Sequence, residues 1–163
     1  MAANDEVSTD GFWRFSLMVY ARPGVAEALI GLQDRAGHNV NLILFGLWLG
    51  LTAGRRLDRL ALGRARATIA RFDREITAPL RRLRRRLRAD PDPDMQDLRR
   101  RVLALELIAE RRAQARLAAS PERGPSSAGD RRAAAEANLR LILGPRDIAS
   151  PEASVLRQTL AGF

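Results

Sequence analysis

The chain has 163 residues, 46% of them hydrophobic, with 28 basic and 19 acidic side chains and no cysteine. That length holds one domain with a real core and is too short for two comfortable ones. The missing cysteine excludes disulfides, thiolate zinc sites, iron–sulfur clusters and cysteine nucleophiles.

All the basic residues are arginine, and the net charge of +9 is local: residues 51–88 carry 13 arginines against 3 acids. The opening MAANDEVSTDG is polar and acidic. It lacks the basic start and apolar run of a secretory signal, so residues 1–9 are expected as a flexible N-terminus and the cytoplasm as the address.

From Asp10 onward every periodic segment fits a helix better than a strand, because Ala, Leu and Arg dominate and period-two runs are missing. A first helix is expected from Asp10 as N-cap to just before Pro23. A second, with Pro23 in its first turn, buries Val25, Leu29 and Leu32 and stops at Gly37. Asn39 is placed to cap a third helix.

That third helix is HNVNLILFGLWLGL, residues 38–51, inside a stretch from Ala36 to Gly54 without formal charge. A membrane span needs about 20 apolar residues, and only Leu42 to Leu51 is strongly apolar here. A helix apolar on nearly all sides but this short is expected at the centre of a soluble bundle. Its polar first turn leaves a sharper reading open, in which His38, Asn39, Asn41, Phe45 and Trp48 line a pocket. Asn41, Phe45 and Trp48 share a face at i, i+4, i+7. A catalytic role for His38, the single histidine, would require a partner, and Asp34 stands four residues before it.

Beyond Gly54, the apolar positions Leu57, Ala61, Ala65, Ile69, Phe72 and Ile76 recur at threes and fours. Thr77-Ala78-Pro79 then predicts a kink or a fresh start. Leu80, Leu83 and Leu87 form a narrow stripe among Arg81, Arg82, Arg84, Arg85, Arg86 and Arg88. DPDPD at 90–94 stops that helix, and Leu98, Val102, Leu105 and Ala109 mark the next, which together predict an antiparallel hairpin. Residues 119–130 read as a flexible linker, a short helix follows to Leu143, and 144–163 read as a loosely structured tail. The expected fold is all-α: one domain over 10–143, a bundle of about five or six helices with a central apolar helix and a long basic hairpin.

LQDRAGHNVNLILFGLWLG, EITAPLRRLRRRLR, LRRRVLALELIAERRAQARL and EANLRLIL, in that order, resemble a family of small proteobacterial proteins, domain of unknown function 2390. The VNL-x-LF-x-x-WL core and the PLR-x-LR segment are its more distinctive parts. The resemblance implies a cytoplasmic all-helical domain and supplies no activity, catalytic residue or cofactor.

The arginine-rich helix is a candidate face for an acidic protein or a nucleic acid, since arginines neutralise phosphates. Stacking aromatics are missing between the arginines, which argues against a single-strand reader. Contact with a membrane surface is the weaker reading. The pattern contains no phosphate-binding glycine loop, metal-ligand cluster or nucleophile motif, so no cofactor is expected and an enzymatic role is disfavoured. Glu106 and Glu110, four apart, read as a surface pair facing Arg81, Arg84 or Arg85. The leading expectation is a non-enzymatic interaction module, and the alternative is a small-molecule binder or unrecognised enzyme with a pocket beside the central helix. The leucine stripes would serve equally well between copies of the chain as within one.

Overall fold

A computed structural model describes residues 9–123 and 129–163, and the described chain is helical throughout, without strands. The expected flexible N-terminus therefore lies almost wholly outside the described residues, as does the centre of the expected linker. Eight α-helices are present among the described residues: α1 Thr9–Tyr20, α2 Val25–Ala36, α3 Val40–Ala53, α4 Arg59–Phe72, α5 Ala78–Arg86, α6 Pro93–Ala118, α7 Arg131–Asp147 and α8 Pro151–Thr159. This exceeds the expected five or six, chiefly because the supposed loose tail folds. α8 buries Ala153 and Leu156 and packs on α2.

α3 is the axis of the bundle. Every residue from Val40 to Gly50 is buried, as expected for a helix apolar on all sides. Asn39 caps it, its Oδ1 accepting from the backbone N–H of Asn41 at 2.9 Å and of Leu42 at 3.3 Å, which satisfies two of the donors a helix start leaves open. Gly37, at φ 70°, ends α2. α3's main neighbour is α7, and small residues set how close the two come. A Cβ on Gly50 would stand 2.3 Å from the backbone of Ala135. Asn138 of α7, fully buried, donates to the carbonyls of Gly46 and Arg55 (both 2.8 Å) and accepts from the Leu57 N–H at 2.7 Å. That one amide ties α7 to α3 and to the loop leaving it.

Between α4 and α5 the chain makes one π-helical turn, Asp73–Thr77, in which the Ala78 N–H bonds back to the Asp73 carbonyl. Pro79 explains its place: proline has no N–H for the i−4 carbonyl and its ring crowds that carbonyl, and a widened turn relieves both. The expected kink is thus a π turn, and its extra residue rotates everything beyond it. Ile76, expected inside, is 42% exposed, while Thr77 is fully buried.

The same shift moves the stripe of α5. Leu83 is 40% exposed, whereas Arg81 and Arg84, four and seven residues after Thr77, turn towards α6. α5 and α6 form the expected hairpin. Arg84 meets Glu106 and Arg81 meets Glu110, so the helices run antiparallel. Asp92 caps α6, with Pro93 in its first turn. The buried stripe of α6 is Val102, Glu106, Ala109, Ala113 and Leu117. Leu98 and Leu105, expected inside, are 42% and 53% exposed, because the arginines of α5 claim the Glu106 face.

Among the described residues no single helix is long and apolar enough to cross a membrane. α3 spends its apolar surface on the core.

Candidate functional site

A cleft of about 240 Å³ opens between α1, α5 and α6, next to the first turn of α3. Its walls are apolar: Trp13 and Leu17 from α1, Leu103 and Leu107 from α6. Its floor is polar and charged, with Tyr20, Gln33, Arg81, Arg84, Glu106, Glu110 and Gln114.

Apart from Tyr20 and Gln33, the floor side chains are linked to one another by ion pairs and hydrogen bonds. Arg84 donates to both oxygens of Glu106, Nε at 2.5 Å and Nη2 at 3.2 Å. Arg81 donates from Nη2 to Glu110 Oε1 at 2.8 Å, and its Nε lies 3.4 Å from Glu106. The other oxygen of Glu110 accepts from the Asn41 amide at 2.8 Å, and the Asn41 carbonyl accepts from Gln114 at 3.0 Å. Ser16 Oγ stands 3.0 Å from both the Gln114 side-chain oxygen and the Phe12 carbonyl, so its one proton serves one of them at a time.

Two arginines face two glutamates, which leaves the floor formally neutral. The hydrogen bond to Glu106 holds Arg84 above its ordinary pKa. Burial pushes the Tyr20 phenol far above its own; the Glu110 charge adds to this and the Arg81 charge opposes it. Although 37% of Tyr20 is exposed, its phenol stays a protonated donor at physiological pH.

The pocket expected around α3 does not form as one site. Trp48 is fully buried, stacked on Phe12 at 4.9 Å, and Phe45 is fully buried beside them, with ring centroids 5.8 Å from Phe12 and 6.0 Å from Trp48. These rings are core. Asn41 bonds instead to Glu110 and Gln114 of the cleft floor. Asn39 spends its Oδ1 on the helix cap. His38 has its carboxylate, but from Asp147 at the end of α7, 2.7 Å from Nε2. Asp34 pairs instead with Arg85.

Nor is the basic face uniform. Arg81 and Arg84 are turned into the network and Arg85 is paired, whereas Arg82, Arg86 and Arg88 are exposed and have no acidic partner among the described residues. Glu106 and Glu110 do face Arg81 and Arg84 as expected, but Glu106 is 5% exposed and belongs to the interior, not the surface.

Sequence reasoning missed Ser16, Tyr20 and Gln114. The signal was present in two of them: Ser16 lies between Phe12 and Val19, and Gln114 between Ala113 and Leu117, polar side chains at core spacing on apolar stripes. A buried polar side chain requires a partner.

Residues 11–117 match the model of a family described as a protein of unknown function, DUF2390. The match runs from α1 to the end of α6 and covers every residue of the cleft. EANLRLIL of α7 lies beyond it. No curated protein and no solved structure matches the chain.

Proposed function

Because the chain belongs to the DUF2390 family, whose description carries no activity, we propose its function from the cleft: a binding module for a small ligand with an apolar body and a hydrogen-bonding end. One observation carries the reading. Buried ion pairs rarely add stability over apolar packing of the same volume, yet here four charged and several amide and hydroxyl side chains converge beneath an open apolar mouth. Concave, mostly apolar sites with a few convergent polar groups are the usual form of a ligand pocket. Trp13, Leu17, Leu103 and Leu107 would hold the body, while Tyr20 and Gln33, which have no side-chain hydrogen-bond partner among the described residues, would meet its polar end. No chemical step is assigned, and the cytoplasm is the proposed location.

The test uses the exposed Leu107, whose replacement spares the core. Native mass spectrometry of the purified protein, with tryptophan fluorescence across a panel of fatty and aromatic amides and acids, is compared between wild type and Leu107→Arg. A bound mass or saturable quench that Leu107→Arg removes, at unchanged circular dichroism, supports the reading. A wild type that binds nothing in the panel and carries no added mass sinks it.

A second reading rests on Arg82, Arg86 and Arg88, a free cationic edge for an acidic protein or nucleic acid. Charge reversal at all three should abolish co-purification of such a partner while leaving the Leu107 cleft intact. If every partner binds that variant normally, this reading fails.

A further inference from the structure

On another side of α3 a second cleft, of about 260 Å³, lies between the α2–α3 turn, the end of α4 and α7. Leu42, Ile69 and Ile142 line it with apolar surface, and His38, Arg66 and Asp73 supply its charged and titratable groups.

Asp73 is the unusual member. It opens the π turn, and its Oδ1 is sealed from solvent without a hydrogen-bond partner among the described residues. Asp73 lines the cleft although Oδ1 is closed off, so a cation there is met by Oδ2 of a carboxylate that has lost part of its hydration. His38 is held on the same cleft by Asp147 at 2.7 Å, its side chain 13% exposed. An ionised carboxylate only accepts, so Nε2 carries a proton, and Nδ1 offers a lone pair when the ring is neutral. The cleft thus offers acceptors: the Asp73 carboxylate and an oriented imidazole nitrogen beside a short apolar wall. Arg66, exposed on α4, is the cation at this cleft and has no acidic partner among the described residues. No three His, Asp or Glu side chains among the described residues are placed to hold a metal ion.

We propose that the Asp73–His38 cleft is a second binding site, for a small primary ammonium compound with a short apolar chain. The ammonium meets Asp73 and donates to His38, and the chain lies on Leu42, Ile69 and Ile142. The volume is just below the usual range for ligand sites, so a compact ligand is implied.

His38 is the only histidine in the chain, so its ring resonances in a proton–nitrogen NMR spectrum report on this cleft alone. Three probes of equal length are titrated: n-butylammonium, n-butanol and butyrate. The expected result is a saturable millimolar shift with butylammonium, about tenfold weaker with butanol and absent with butyrate. Asp73→Asn should weaken butylammonium by about tenfold, and Arg66→Gln should leave it equal or tighter. Butyrate binding as well as butylammonium, loss of butylammonium binding in Arg66→Gln, or no saturable shift with any probe overturns the proposal. The probe comparison is made on the wild type, so the result does not depend on Asp73→Asn folding.

Discussion

Arg84 holds Glu106 through two parallel N–H groups, and the carboxylate it holds is 5% exposed on the inner stripe of a helix whose nearest buried neighbours are Val102 and Ala109. The geometry is that of a fork on a fork, which lysine does not reproduce. Glu106→Leu should cost about 3 kcal/mol by leaving Arg84 without its acceptor, while Arg81 keeps Glu110. Combining it with Arg84→Met should recover most of that loss. A double-mutant cycle by denaturant unfolding measures the coupling, and a double variant as unstable as the single one would contradict this account.

Glu122 sets an acid limit on the fold. Its side chain is almost wholly buried and accepts from Arg64 at 2.5 Å. Burial pushes its pKa up, but hydrogen bonds from Arg64, its own backbone N–H and Ser120 outweigh that and hold it below the ordinary 4.5. A carboxylate depressed in the folded state adds stability above its unfolded pKa and loses it as pH falls through the folded one. The wild type should therefore lose stability below about pH 4.5. Glu122→Gln should be less stable at neutral pH and show a shallower acid slope. Equal slopes for the two proteins in thermal melts from pH 7 down to pH 3 would remove Glu122 from the explanation.

Gly50 and Gly46 look equivalent in sequence, four apart on α3, and should respond differently. At Gly50 the added methyl meets the Ala135 backbone, which cannot give way without moving α7. At Gly46 it meets Ile142 Cδ1 at 2.5 Å, the end of a flexible side chain, and Asn138 Cβ at 3.3 Å, which needs to give by only a few tenths of an ångström. Gly50→Ala should cost about 3 kcal/mol or more. Gly46→Ala should come out near neutral, because the repacking cost of about 1 kcal/mol is offset by alanine's better helix propensity. Paired melting curves decide this; equal effects would mean that α3 and α7 are not this close.

Thr77 is fully buried and its hydroxyl has no hydrogen-bond partner among the described residues. Valine keeps the shape and removes the polar atom. Thr77→Val should stabilise by about 1 kcal/mol and raise Tm by about 2–4 °C. A drop in Tm would mean that the hydroxyl has a bonded water.

Much of the fold was legible because its signals are local. Asn39 as a cap, Gly37 as a terminator, the uniformly apolar α3 and the DPDPD turn each speak through neighbours in sequence. The π turn does not. It inserts a single residue ahead of Pro79, and a 3.6-residue period carried across it puts Ile76 inside and Leu83 against α6, both wrong. The candidate site was only partly legible for a related reason. Arg81 and Arg84 look like any solvated arginines until the turn rotates them onto Glu106 and Glu110, and the partner of His38 arrives from 109 residues away. The helical tail was missed because the apolar side chains of α8 are few, and their burial depends on α2.

Asn138 and Ala135 lie beyond residue 117, where the family match stops, yet they close the open flank of α3. The matched segment and the packed core of this chain are therefore different lengths of chain. The matched segment carries the whole α1–α6 cleft but only part of the scaffold that keeps α3 dry. A relative that kept the cleft and varied its C-terminal third would have to supply another helix to the glycine groove, from its own chain or from a neighbour's.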